Sequence, residues 1–123
     1  MVRLYLCGSG PFLGSASFLF GLPPTIAALE AYLDMLGGSQ LSWMLCGDVV
    51  GSGMAELAIR RGGHVRVGLE DYAGRGEPTN AELVSRVAEL AVRAGRPLAT
   101  PQEAAQILLG PAGARAAGTG RPG

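Results

Sequence analysis

Lysine is absent from this 123-residue sequence, and all ten cationic side chains are arginine. That excludes a Schiff-base lysine and the lysine of a phosphate-binding P-loop. Cysteine is scarce: Cys7 and Cys46 form no CxxC pair, which argues against a disulfide scaffold and for reduced thiols in a cytoplasm. There is one histidine, His64. Neither charge sign is in excess, ten against ten, so electrostatic binding to nucleic acid or to a membrane surface is not expected. No apolar run approaches the roughly 20 residues that span a bilayer. The opening MVRLYLCGSG lacks the basic region and continuous apolar run of an export signal. A soluble, cytoplasmic protein of one domain is expected.

What is present alternates. Val2 to Cys7 and Leu41 to Cys46 are short apolar runs closed by glycine, as buried strands are, and His64 to Leu69 is a third. Between the first two, Thr25 caps a helix marked by Ile26, Leu29, Leu33 and Leu36; between the last two, a helix starts near Ser52 and stops at Gly62-Gly63. Thr79-Asn80-Ala81-Glu82 and Thr100-Pro101-Gln102-Glu103 are capping boxes opening two further helices. A short extended piece is expected at Phe18 to Phe20. Strand–helix alternation with glycine-bounded loops predicts parallel β/α units, in either an open doubly wound sheet or a (β/α)8 barrel.

The stretch GGHVRVGLED, residues 62 to 71, carries the chemistry-bearing residues. Strand alternation places His64, Arg66, Gly68 and Glu70 on one face and Val65, Val67 and Leu69 on the face that packs against helices. An inward Arg–Gly–Glu face suits a barrel strand opening to a site at its C-terminal end. The plainer expectation is a structural ion pair between Arg66 and Glu70. Asp71, where alternation lapses, can also turn toward the site. His64 lies roughly 20 Å from Glu70 along an extended strand, so it is expected to be structural and not to share a metal with it.

GGHVRVGLED, followed by NAELVSRVAELAVRAGRPLATPQEAAQILLG, resembles the C-terminal end of the β-keto acid cleavage enzymes; GLPPTIAALEAYLDML, Trp43 and AIRRGGH follow that family more loosely. The resemblance implies a zinc-dependent (β/α)8 enzyme. Such an enzyme condenses a β-keto acid with acetyl-CoA and releases acetoacetate and a new acyl-CoA by retro-Claisen cleavage. It implies Glu70 as a zinc ligand, Asp71 as the base and Arg66 as the group working with it. A carboxylate is a normal zinc ligand, and an arginine fork holds carboxylates in two-point geometry.

The same resemblance marks departures. Tyr72 stands where the family carries Asn, and Gly47-Asp48-Val49 stands where it carries Gly-Ile-Gly, which sets a carboxylate beside the expected CoA phosphates. The family's His-x-His zinc ligands have no counterpart here, and a complete barrel needs about 250 residues. The chain is therefore expected to be the C-terminal three β/α units of an incomplete (β/α)8 TIM-type barrel. Residues 1–110 would be the partial barrel, residues 111–123 a disordered tail, and the chain inactive without a matching N-terminal segment. Two readings from other classes stand beside it. One is a non-catalytic module that forms homo-oligomers through open sheet edges. The other is a nucleotide-binding loop using Gly8, Gly10 and Gly14, disfavoured by Pro11 and by the absence of a helix directly after it.

Overall fold

The computed structural model describes residues 1–7, 21–39, 41–72 and 76–117. Three strands and four helices follow in the order β1 (Val2–Leu6), α1 (Ile26–Met35), β2 (Trp43–Gly47), α2 (Met54–Arg60), β3 (His64–Val65), α3 (Asn80–Arg93) and α4 (Pro101–Ala117). The sheet is parallel throughout, in the order β1-β2-β3. The Gly8–Gly14 loop and the extended piece expected at Phe18 to Phe20 lie outside the described residues. Among the described residues, no helix is long and apolar enough to cross a membrane.

Register fixes the two faces of the sheet. Leu4 pairs with Leu45 and Tyr5 with Cys46; Leu45 pairs in turn with Val65. Leu4, Leu6, Leu45, Val65 and Val67 therefore share one face. They meet Leu29 from α1, Met54, Ala55 and Ala58 from α2, and Val87 and Leu90 from α3 in a single core cluster. Burying a leucine such as Leu6, Leu29 or Leu45 completely contributes about 2 kcal/mol each. The first three helices thus pack on one side. Tyr5, Cys46 and Arg66 form a row across the other.

Local signals set the helix boundaries. Thr25 accepts from the Ala28 N–H at 3.2 Å. Both halves of the Thr79–Glu82 capping box are made, with Thr79 N–H donating to Glu82 at 2.7 Å and Glu82 N–H donating to Thr79 Oγ1 at 3.2 Å. Thr100 and Glu103 repeat the motif at 2.7 and 3.2 Å. These hydrogen bonds hold the Glu82 and Glu103 carboxyls below their usual range. Gly95, at φ +71°, stops α3. The helix α4 continues past Gly110 to Ala117, into the segment expected to lack order; Ala112, Ala114, Ala116 and Ala117 are strong helix formers.

The third strand is far shorter than His64 to Leu69. Its ladder ends with the Arg66 N–H donating to Leu45 O at 2.9 Å. Beyond that point β2 turns away at Gly47, whose φ is +98°. Gly68 to Asp71 then close a turn, Asp71 N–H donating to Gly68 O at 3.1 Å. Leu69 consequently leaves the packed face and is 53% exposed. Its N–H donates to Asn80 Oδ1 at 3.0 Å, pinning the turn to the start of α3.

Candidate active site

The turn after β3 brings Arg66 and Asp71 into direct contact and leaves Glu70 at the edge of the same depression. Arg66 Nε donates to Asp71 Oδ2 and Nη2 donates to Asp71 Oδ1, both at 2.8 Å. This is the planar two-point pairing for which a guanidinium is shaped. The Asp71 side chain is 11% exposed and that of Arg66 32%. The hydrogen-bonded Asp71 carboxylate holds the Arg66 guanidinium still more firmly in its charged form. Glu70 reaches only 4.0 Å from Arg66 Nη2, with its side chain 85% exposed. The expected Arg66–Glu70 pair is present only as a long, exposed contact, and the close partner of Arg66 is Asp71.

The pair lies where ligands gather in parallel α/β proteins, beyond the carboxyl ends of the strands. An open depression of about 390 Å³ is lined by Arg66, Gly68, Glu70, Asp71, Asn80 and Val84. On its neighbouring side a small cleft is bordered by Gly47, Asp48, Val67, Asp71 and Tyr72. Asp48 is brought there by backbone geometry. Its N–H donates to Leu6 O at 2.9 Å, and the Ser52 hydroxyl donates to its carbonyl. Gly47 is obligatory at this crossing, because a Cβ would run into the Leu6 carbonyl.

Two thiols line the same face and are not activated. Burial, then the Asp71 and Asp48 carboxylates, push the Cys7 thiol up. Burial likewise pushes up Cys46. A nucleophilic cysteine requires the opposite shift.

His64 sits at the other end of β3 in a different setting. A cleft of about 320 Å³ is lined by Met44, His64, Val65, Arg96, Ile107 and Leu108 among others. Burial, and secondarily the Arg96 cation, push the imidazole below its usual value. It lines a different cleft from Glu70. Among the described residues no group of three or more His, Cys, Asp or Glu could hold a metal ion. Glu70 alone does not fit a catalytic zinc, which takes about three protein ligands.

One residue of the site carried no signal in the sequence. The Tyr5 ring lies against the Arg66 guanidinium, 5.6 Å from ring centroid to Cζ. Alternation along β1 puts Tyr5 opposite Leu4 and Leu6, but only the register of β1, β2 and β3 shows that it neighbours Arg66.

Residues 10–109 match the beta-keto acid cleavage enzyme family. The chain belongs to that family. It is 56% identical over 59 residues to a 3-keto-5-aminohexanoate cleavage enzyme of Acetoanaerobium sticklandii, covering 45% of this chain and 22% of that protein. Against the enzyme of the same name from Fusobacterium nucleatum the identity is 58% over 59 residues, with the same shares covered. A 3-oxoadipate:acetyl-CoA acetyltransferase of Cupriavidus necator is 44% identical over 59 residues, covering 45% of this chain and 21% of that protein. The chain therefore spans about a fifth of the length of these curated relatives.

Proposed function

We propose that this chain carries the C-terminal part of a β-keto acid cleavage site, in which Asp71 is the base and Arg66 holds it and the substrate. The observation that carries the proposal is the two-point Arg66–Asp71 pair at the strand ends, inside the region that matches the family. Asp71 would accept the α-proton of a β-keto acid. The resulting carbanion would attack the thioester carbonyl of acetyl-CoA and expel CoA thiolate. The thiolate would then attack the keto carbonyl of the original acid, and carbon–carbon cleavage would release a new acyl-CoA and the acetoacetate carbanion, which takes the proton back from Asp71. An ionised carboxylate offers about four lone-pair sites, so the two bonds to Arg66 leave Asp71 able to receive a proton. Arg66 Nη1 makes no hydrogen bond among the described residues, which leaves that end of the guanidinium for a substrate oxygen.

The one-sided packing of α1, α2 and α3 on a sheet of consecutive parallel strands supports placing these units in a (β/α)8 barrel, whose helices all lie outside. Zinc belongs to this reading only in part. Glu70 is proposed as one ligand of a set completed by residues other than those described, and no chemical step is assigned to the metal. Acetyl-CoA is proposed as co-substrate, in keeping with the name of the Cupriavidus necator relative.

The test is reconstitution. The chain, fused behind the N-terminal part of the Acetoanaerobium sticklandii enzyme, is assayed with a panel of β-keto acids and acetyl-CoA. Formation of acyl-CoA that requires both substrates is expected. A folded fusion that forms no acyl-CoA with any of them would contradict the proposal.

A further inference from the structure

We propose that Tyr5 is a positioning residue for the Arg66–Asp71 pair, clamping the guanidinium by its face while Asp71 holds it by its edge. The proposal rests on the reading of Arg66 and Asp71 as the working residues, and goes beyond it by bringing β1 into the site. Tyr5 lies outside residues 10–109, the region that matches the family.

The geometry is built from the backbone outward. The pairing of Tyr5 with Cys46, and of Leu45 with Val65, sets Tyr5, Cys46 and Arg66 in one row across the sheet. The Tyr5 main chain is held at more than its strand partner. Its carbonyl accepts from the Leu22 N–H at 3.1 Å and from the Tyr32 hydroxyl of α1 at 3.0 Å. Gly21 leaves the room for this approach, since a Cβ there would meet the Tyr5 carbonyl. These bonds fix the Cα from which the ring projects toward the cation. The distance of 5.6 Å between Cζ and the ring centroid is within the range of cation–π attraction, which strengthens as the cation loses water.

The guanidinium is thus contacted from two elements, the turn after β3 and β1. The Asp71 fork takes Nε and Nη2 and fixes the in-plane orientation. The Tyr5 ring adds a contact at Cζ from the side of β1. The Nη1 end is then directed without a further partner among the described residues, as a substrate-recognition group has to be before its ligand arrives.

The experiment is heteronuclear NMR of the arginine Nε–H groups in the 123-residue chain, with the Arg66 signal assigned by its disappearance in Arg66→Lys. In the wild-type chain the Arg66 Nε–H should be displaced by the ring current relative to the exposed arginines and should exchange slowly with water. Tyr5→Phe should keep both signatures, because the ring face is retained. Tyr5→Leu should abolish the displacement and speed exchange about fivefold, the loss expected for one cation–π contact. A wild-type Arg66 signal without displacement would overturn the proposal even if Tyr5→Leu fails to fold. So would a folded Tyr5→Leu whose Arg66 signal is unchanged. These readouts are independent of turnover, so a rigid Arg66 in a fusion that makes no acyl-CoA would refute the function and leave the clamp standing.

Discussion

His64 and Arg66 stand two residues apart on one face of one segment, yet they end in opposite surroundings. Arg66, at the carboxyl end of the sheet, meets a carboxylate in two-point contact and an aromatic face. His64, at the amino end, meets Met44 and residues near α4, with a cation in reach and its charged form disfavoured. Arg96 at that end is spent on structure: Nη1 donates to the carbonyls of Ile59 and Gly63 at 2.8 and 2.7 Å, closing the end of α2. The lesson is that polarity on a strand face does not identify a site. What does is where along the strand the residue falls, and whether its partner arrives on a loop beyond the strand.

Four substitutions test this contrast. The largest effect is expected from Gly47→Ala, which drives a Cβ into the Leu6 carbonyl at a φ of +98°. It should cost about 3 kcal/mol and lower the melting temperature by more than about 10 °C; an unchanged melting curve would mean that the β1–β2 crossing is looser than described. Asp71→Ala strips a largely buried carboxylate from the guanidinium and should cost about 2 kcal/mol in denaturant titration. A loss near zero would make the pair an ordinary surface contact. At the other end, Arg96→Met keeps the apolar stem and leaves the Ile59 and Gly63 carbonyls without their donor, for about 1.5 kcal/mol, and it should do so without altering the Arg66 signals.

The smallest effect concerns pH. The His64 imidazole is depressed in the folded chain, so the unfolded chain binds protons more readily just below the ordinary histidine range. Stability should therefore rise with pH as the solution passes from the depressed folded value up through the unfolded one, then level off. His64→Gln should flatten that part of the profile; an unaltered slope would show that the imidazole titrates normally.

Much of the frame was legible in the residues. Both capping boxes, the glycine stop after α3, the parallel order and the Val65–Val67 core face depend on local chemistry and periodicity. The family resemblance rested on contiguous residues, and the match over residues 10–109 bears it out. What could not be read was geometry that depends on two segments at once. The length of β3 is set by where β2 bends at Gly47. The choice of Asp71 over Glu70 as partner of Arg66 is set by a turn anchored on Asn80. Tyr5 joins Arg66 only through the register of three strands. Extrapolating alternation through Gly68 misplaced Leu69 for one physical reason: the strand ends with its last pairing, at Val65, and the chain turns at Gly68.

The central claim is that the Arg66–Asp71 pair does chemistry and is not a strut, and Asp71→Asn separates the two. In the chain fused behind the N-terminal part of a relative, the amide keeps the shape of the side chain and an acceptor for Arg66 but is no longer a base. The decisive measurement is kcat for acyl-CoA formation alongside the melting curve of the same fusion. A fall in kcat of about 10² to 10⁴ is expected, with only a small loss of stability. A fusion that melts several degrees lower yet keeps its kcat would contradict it, and would return Asp71 to a structural role.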